Sequence, residues 1–179
     1  SDQSAVPMIV FAPLRDPVEA INSHLRRAGH AVHCTWIPAL GDLGDALTQL
    51  NPEMLICQPQ ADGELSAVAA VRNQLAPQVP LIALLEAADE TAIAGAIAVG
   101  ARDAVTLARP DRLRAVIERE LRSFRLERAL STTLQSARDY RKQLETVLQR
   151  SNGAIAQVQE RVAVGADASW LDAFGYARE

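Results

Sequence analysis

Pro52-Glu53-Met54-Leu55-Ile56-Cys57-Gln58-Pro59 is the stretch that decides the fold. Met54 to Cys57 are apolar without a break and lie between Asn51-Pro52 and Gln58-Pro59, so the chain is punctuated on both sides. A short run that is apolar at every residue, with no alternation, is the pattern of a strand buried on both faces. Helices are expected on either side of it, and residues 42–50 and 64–76 have the composition to supply them.

The same alternation extends outward in both directions. Met8-Ile9-Val10-Phe11 is an apolar run closed by Ala12-Pro13. A helix follows, with Asp16 as its expected cap, Pro17 in its first turn and Gly29 at its end. Val18, Ile21 and Leu25 would form its core stripe, with Arg26 and Arg27 in water. Ala31 to Ile37 reads as a second strand, Pro80 to Leu85 as a fourth and Asp103 to Leu107 as a fifth. A helix over 89–99 ends at Gly100. Another starts at Pro110 and is not interrupted until Ser151-Asn152-Gly153. Five strands alternating with five helices predict an α/β fold: a five-stranded parallel, doubly wound sheet in the order 2-1-3-4-5, with an extended C-terminal helix. Cys34 and Cys57 would then lie on non-adjacent strands, so no disulfide is expected.

Composition limits the function. Hydrophobic residues make up 49% and charged residues 22%, which is enough for a packed core. The net charge of -4 gives no basic footprint for nucleic acid. Lys and Arg do cluster in 102–128, but interleaved acids make that segment read as a solvated helix face. No apolar run approaches the roughly 20 residues of a bilayer span, so no membrane insertion is expected. No signal peptide pattern precedes the first strand, and Ser1 to Val6 read as an unpatterned tail. With two cysteines in apolar runs, a cytoplasmic home is expected.

The segments Pro52 to Gln58, Pro80 to Leu85 and Gly100-Ala101-Arg102-Asp103-Ala104-Val105 resemble those of a response-regulator receiver domain, of the CheY-like class. The Gly-Ala-x-Asp turn is the most specific of them. The resemblance covers 7–125, about two thirds of the chain. It implies a phosphorylation pocket beyond the carboxyl ends of the strands, made of two metal-binding acids, a phosphoacceptor aspartate, a Ser or Thr, and a Lys. The matching positions here are Ala12 and Pro13, Gln58, Leu85 and Leu107. Ala and Pro cannot coordinate a hard cation, and an amide has no anionic oxygen to attack phosphorus. The switch aromatic of the fifth strand is Ala104. The pocket therefore reads as degenerate, with no catalytic residue, metal or cofactor. A register error would bring in Asp16 or Asp62, but these are better explained as a helix cap and an Asp-Gly turn.

Other groupings have plain structural readings. His33 and Cys34 point to opposite faces of a strand, so with His30 they do not make a metal site. Gly41 and Gly44 lack the Lys-Ser or Lys-Thr of a phosphate loop. The helix over 89–99 is more informative. Ile93, Ala96 and Ile97 are expected to face the sheet, leaving Ala94, Gly95 and Ala98 outside: either an uncharged association face, as the receiver resemblance implies, or an Ala-rich face tolerated in water. The last helix carries Leu130, Leu134, Ala137, Arg141, Leu144 and Leu148, alternately four and three residues apart. That is a heptad seam with one polar member, Arg141, and it predicts a homodimer, parallel if both chains deliver the same downstream domain on the same side; the alternative is a single helix folded back on its own domain.

From Asn152 the sequence resembles the start of a PAS domain, on Gly153 to Val158, Val162 to Val164 and Ala168 to Tyr176, and residues 153–179 are expected to supply about two strands and a helix of it. The expected organisation is a tail over 1–6, a receiver-like domain over 7–125, a coiled-coil-like linker over 126–150 and an incomplete PAS start over 151–179. Together these resemble the N-terminal region of FimX-like receiver–PAS–GGDEF–EAL proteins. That resemblance implies a non-enzymatic signalling module in a larger cyclic di-GMP-linked protein. It also implies signalling or pilus-assembly partners, control of type IV pili and twitching motility, and a cytoplasmic, polar location. The alternatives are a phosphoaccepting receiver of a two-component system and the regulatory end of an active GGDEF/EAL enzyme.

Overall fold

The computed structural model describes residues 4–173, with side chains for 4–154. It divides into two units, Ser1–Arg128 and Ala129–Glu179.

In the first unit β1 (Val6–Phe11), β2 (Val32–Ile37), β3 (Met54–Cys57), β4 (Leu81–Leu84) and β5 (Asp103–Val105) alternate with α1 (Asp16–Arg27), α2 (Leu40–Gln49), α3 (Glu64–Leu75) and α4 (Glu90–Ala98). The fifth helix, α5, is assigned over Pro110–Ala173. The strands pair in parallel in the order 2-1-3-4-5, as the sequence predicts. β1, β3 and β4 are central and almost wholly buried, which is why they carry no alternation. One face of the sheet packs Met8, Val10, Met54, Ile56 and Ile82 under α1 and the first part of α5, through Val18, Ile21, Leu25, Leu113, Ile117 and Leu121. The other packs Ile9, Phe11, Leu55, Cys57 and Leu81 under α2, α3 and α4. Burying one such side chain is worth about 1.5–3 kcal/mol, and the fold rests on these two layers.

The Gly-Ala-x-Asp turn has a physical explanation. Gly100 adopts φ +115, and a Cβ there would lie 3.3 Å from the Cβ of Ala69, so only glycine fits. Its carbonyl accepts from Arg72 Nη2 at 2.6 Å. Ala101 is buried, and the Arg102 N–H donates to the Leu81 carbonyl at 2.7 Å. The turn thereby delivers Asp103 to the amino end of β5.

Several expectations are corrected. Asp16 does not cap α1: it is the first helical residue, and Arg15 at the N-cap makes no side-chain cap. The Asp16 carboxylate instead adds favourable charge to the first turn. Val6, placed in the tail, begins β1 and is buried, because it pairs with Val32. Ile97 does not face the sheet but is 49% exposed. α4 is short, and Ala96, with Ile93 half-buried beside it, fills the space under it. The last helix does not stop at Ser151-Asn152-Gly153 but runs on to Ala173. Gly153 alone costs only about 1 kcal/mol, and 154–173 hold six alanines and no proline. The two strands expected within 153–179 are therefore absent from the described part of that segment, which is helical to Ala173, while Phe174-Gly175-Tyr176 lies outside the described residues.

Candidate functional site

The carboxyl ends of β1, β3, β4 and β5 meet along one edge of the sheet, and the five singled-out positions lie along it. Ala12 follows β1 and is fully buried. Its N–H donates to the Ile37 carbonyl at 3.2 Å, and its carbonyl accepts from the Trp36 indole at 2.9 Å. Pro13 is exposed and has no N–H to offer. Gln58 is half-buried and is held by its own N–H, which donates to the Phe11 carbonyl at 2.8 Å. The Leu85 N–H donates to the Val105 carbonyl at 2.8 Å, and its side chain packs on the core layer under α2, α3 and α4. Leu107 packs on the opposite layer. Ala104 is fully buried beside Ala83.

This edge therefore presents a methyl, a pyrrolidine, an amide and two isobutyl groups, with no carboxylate or ammonium among them. Ca²⁺ or Mg²⁺ needs hard oxygen ligands, and among the described residues no three His, Cys, Asp or Glu side chains are grouped to hold a metal ion. Asp16 and Asp62 are exposed in a helix start and a turn, and neither is placed in the strand-end row. Thr106 was not foreseen. Its hydroxyl donates to the Glu86 carbonyl at 3.2 Å and accepts from the Ala108 N–H at 3.3 Å, so it braces the two loops that follow β4 and β5.

Charge is concentrated instead at the amino ends of the strands. Asp103 is 7% exposed and accepts from its neighbour's Ala104 N–H at 2.8 Å, from Arg112 at 3.0 Å and from Arg119 at 2.9 Å. Burial alone would raise its pKa, but the Ala104 N–H and the two guanidiniums outweigh burial and hold the carboxyl below its ordinary value of 3.8. Glu53 is 8% exposed and bonds Arg125 at 2.8 Å and Arg128 at 3.3 Å. The guanidinium of Arg128 also lies 5.4 Å from the centre of the Phe124 ring. The basic cluster of 102–128 is thus not simply a solvated face, since four of its arginines join α5 to two buried acids. Sequence reasoning missed this because Glu53 lies more than seventy residues before the arginines that bind it.

The remaining groups have structural roles. Cys34 and Cys57 are free thiols on non-adjacent strands. Burial pushes Cys34 up to about 11, against the nearby Arg26, and Cys57 up to about 12, with Glu64 adding to the shift. Neither is poised as a nucleophile at neutral pH. His30 contacts Glu118 at 2.7 Å. On α4, Ala94, Gly95 and Ala98 are exposed, and Ile97 and Val99 join them, so the outward face is more apolar than expected.

In the second unit, Leu130, Leu134, Leu144 and Leu148 are between 46% and 60% exposed, and Ala137 and Arg141 are exposed in the same series. Among the described residues no helix is long and apolar enough to cross a membrane.

No family model matches the chain, and no curated protein matches its sequence. Solved structures do match. A response regulator from Thermotoga maritima is 15% identical, with a TM-score of 0.57 over 66% of this chain and 98% of its own. NtrX from Brucella abortus, solved in complex with ADP, is 22% identical, with a TM-score of 0.60 over 72% of this chain and 29% of its own. A pilus assembly-related protein from Burkholderia pseudomallei is 16% identical, with a TM-score of 0.55 over 68% of this chain and 92% of its own. The first unit has the fold of response-regulator receiver domains.

Proposed function

We propose that this chain is a non-enzymatic signalling and dimerisation module whose receiver-fold domain does not accept a phosphoryl group. One observation carries the proposal: Ala12, Pro13, Gln58, Leu85 and Leu107 occupy the strand ends where that chemistry requires acids, a hydroxyl and an ammonium. Phosphoryl transfer is catalysed by positioning and by neutralising charge, and none of the five side chains carries a charge to do so. The domain then works through its surfaces, which are the uncharged face of α4 and the leucine seam of α5. The seam supports a parallel homodimer, since an identical helix would cover leucines that are otherwise half exposed.

The finer assignment places the module in a cyclic di-GMP-linked, FimX-like protein that controls type IV pili and twitching motility, with pilus-assembly or signalling partners in the cytoplasm. It rests on the sequence resemblance alone. Beryllofluoride or acetyl phosphate with Mg²⁺ should leave the mass, melting temperature and oligomeric state unchanged. A stable gain of one phosphoryl group mapped near Gln58 would overturn the proposal.

A further inference from the structure

The polar residue in the leucine seam is accompanied by a second unusual residue beside it. Number the seam as heptads, with Leu134, Arg141 and Leu148 at a and with Leu130, Ala137 and Leu144 at d. Tyr140 then falls at g and Glu145 at e. Tyr140 is 67% exposed, and the same helix turn shows Arg141 Nε bonded to Glu145 Oε1 at 3.2 Å. The four–three spacing continues in the sequence at Ile155, Val158 and Val162.

In a parallel, in-register pair an a side chain inserts between four residues of the facing helix. For Arg141 these are the partner copy's residues at 137, 140, 141 and 144. The small side chain at 137 leaves room for the arginine stem. The aromatic ring at 140 offers its face to the guanidinium. The e position of one helix lies beside the g position of the other, so the Glu145 carboxylate can accept from the facing tyrosine hydroxyl while still holding its own Arg141. Two arginines and two glutamates make this layer neutral, and each polar group in it has a partner. In the antiparallel pairing that sets Arg141 opposite Leu144, the guanidinium enters an aliphatic layer and Tyr140 lies near Val147.

We infer that Tyr140, Arg141 and Glu145 form an inter-chain latch that selects a second copy of this chain in parallel and in register. The inference rests on the dimer proposed above and deepens it. A buried polar group at a specifies pairing at a cost in stability, and here the cost is offset by the ring and the carboxylate around it.

The test uses the full chain and disulfide trapping. Ser151 is at d, so Ser151→Cys should oxidise readily to a 151–151 dimer, since facing d positions lie within the reach of a disulfide. An equal mixture of Ser151→Cys and Leu134→Cys chains in a glutathione buffer should give 151–151 and 134–134 products. Tyr140→Ala should weaken dimerisation roughly tenfold by sedimentation, which is the loss of two cation–π contacts per dimer. Arg141→Leu should dimerise at least as tightly but yield less of the 151–151 product, because the orientation is no longer selected. A dominant 134–151 product, or a dissociation constant unmoved by Tyr140→Ala, would overturn the latch while leaving a seam dimer standing. A monomeric parent chain, or a dimer indifferent to Leu134→Glu with Leu144→Glu, would overturn the dimer itself and the latch with it.

Discussion

The two edges of the one sheet differ in a way that explains the molecule. At the carboxyl ends of the strands the side chains are Ala12, Pro13, Gln58, Leu85 and Leu107, and backbone hydrogen bonds hold the edge closed. At the amino ends two carboxylates, Asp103 and Glu53, are buried under four arginines of α5. The cohesion of the sheet does not depend on that edge, because Met8, Val10, Ile56 and Ile82 and their layer supply it. The charges at the other edge serve attachment. They join the sheet to a helix that goes on to carry the exposed leucines.

Removing charge from the amino edge should therefore have the largest effect. Asp103→Ala leaves the Ala104 N–H without its acceptor and takes a carboxylate from two guanidiniums, although Arg112 keeps the Ala104 carbonyl and Arg119 keeps Glu120. A half-exposed guanidinium can turn to water, so the expected loss is about 2–3 kcal/mol, below the full cost of breaking a wholly buried pair. Denaturant unfolding of the parent and the variant measures it. The same carboxyl gives the comparison a pH dependence. Its folded pKa is depressed, so its contribution is present above the ordinary value of 3.8 and is lost as pH falls through the lower folded value. Unfolding followed from pH 5 down to pH 2 should show the parent losing stability faster than Asp103→Ala. Parallel curves would show that the pair is not what the acid limb reports.

Glu53→Gln should cost less, about 1–2 kcal/mol, because the amide keeps one acceptor for Arg125 while losing the charge. The smallest effect is expected at the carboxyl edge. Gln58→Asp should change stability by less than about 1 kcal/mol in the absence of metal. Millimolar Mg²⁺ should give no shift in melting temperature, since the neighbours Ala12 and Pro13 still lack oxygen ligands. A Mg²⁺-dependent stabilisation of that variant would show a cation site that the five positions do not account for.

Much of this was legible along the chain. Met54 to Cys57 and the neighbouring apolar runs marked the central strands, because a strand buried on both faces must be apolar at every residue. The makeup of the carboxyl edge was readable too, since strand ends lie at fixed offsets from the runs and Gly100 marks the turn into β5. Solvent exposure was less readable. Ile97 was expected inside by helical spacing, yet Ala96 takes that place, because the depth available under a short helix depends on what the facing residues already fill.

What the sequence determined by itself is the parallel α/β fold and the identity of its strand-end residues, because hydrophobic period and turn chemistry are local properties. What only the tertiary structure decided is where the charges are used. Asp103 meeting Arg112 and Arg119, and Glu53 meeting Arg125 and Arg128, follow from packing α5 across the sheet. Nothing in the spacing of acids and arginines along a chain tells which pairs will be brought out of water together.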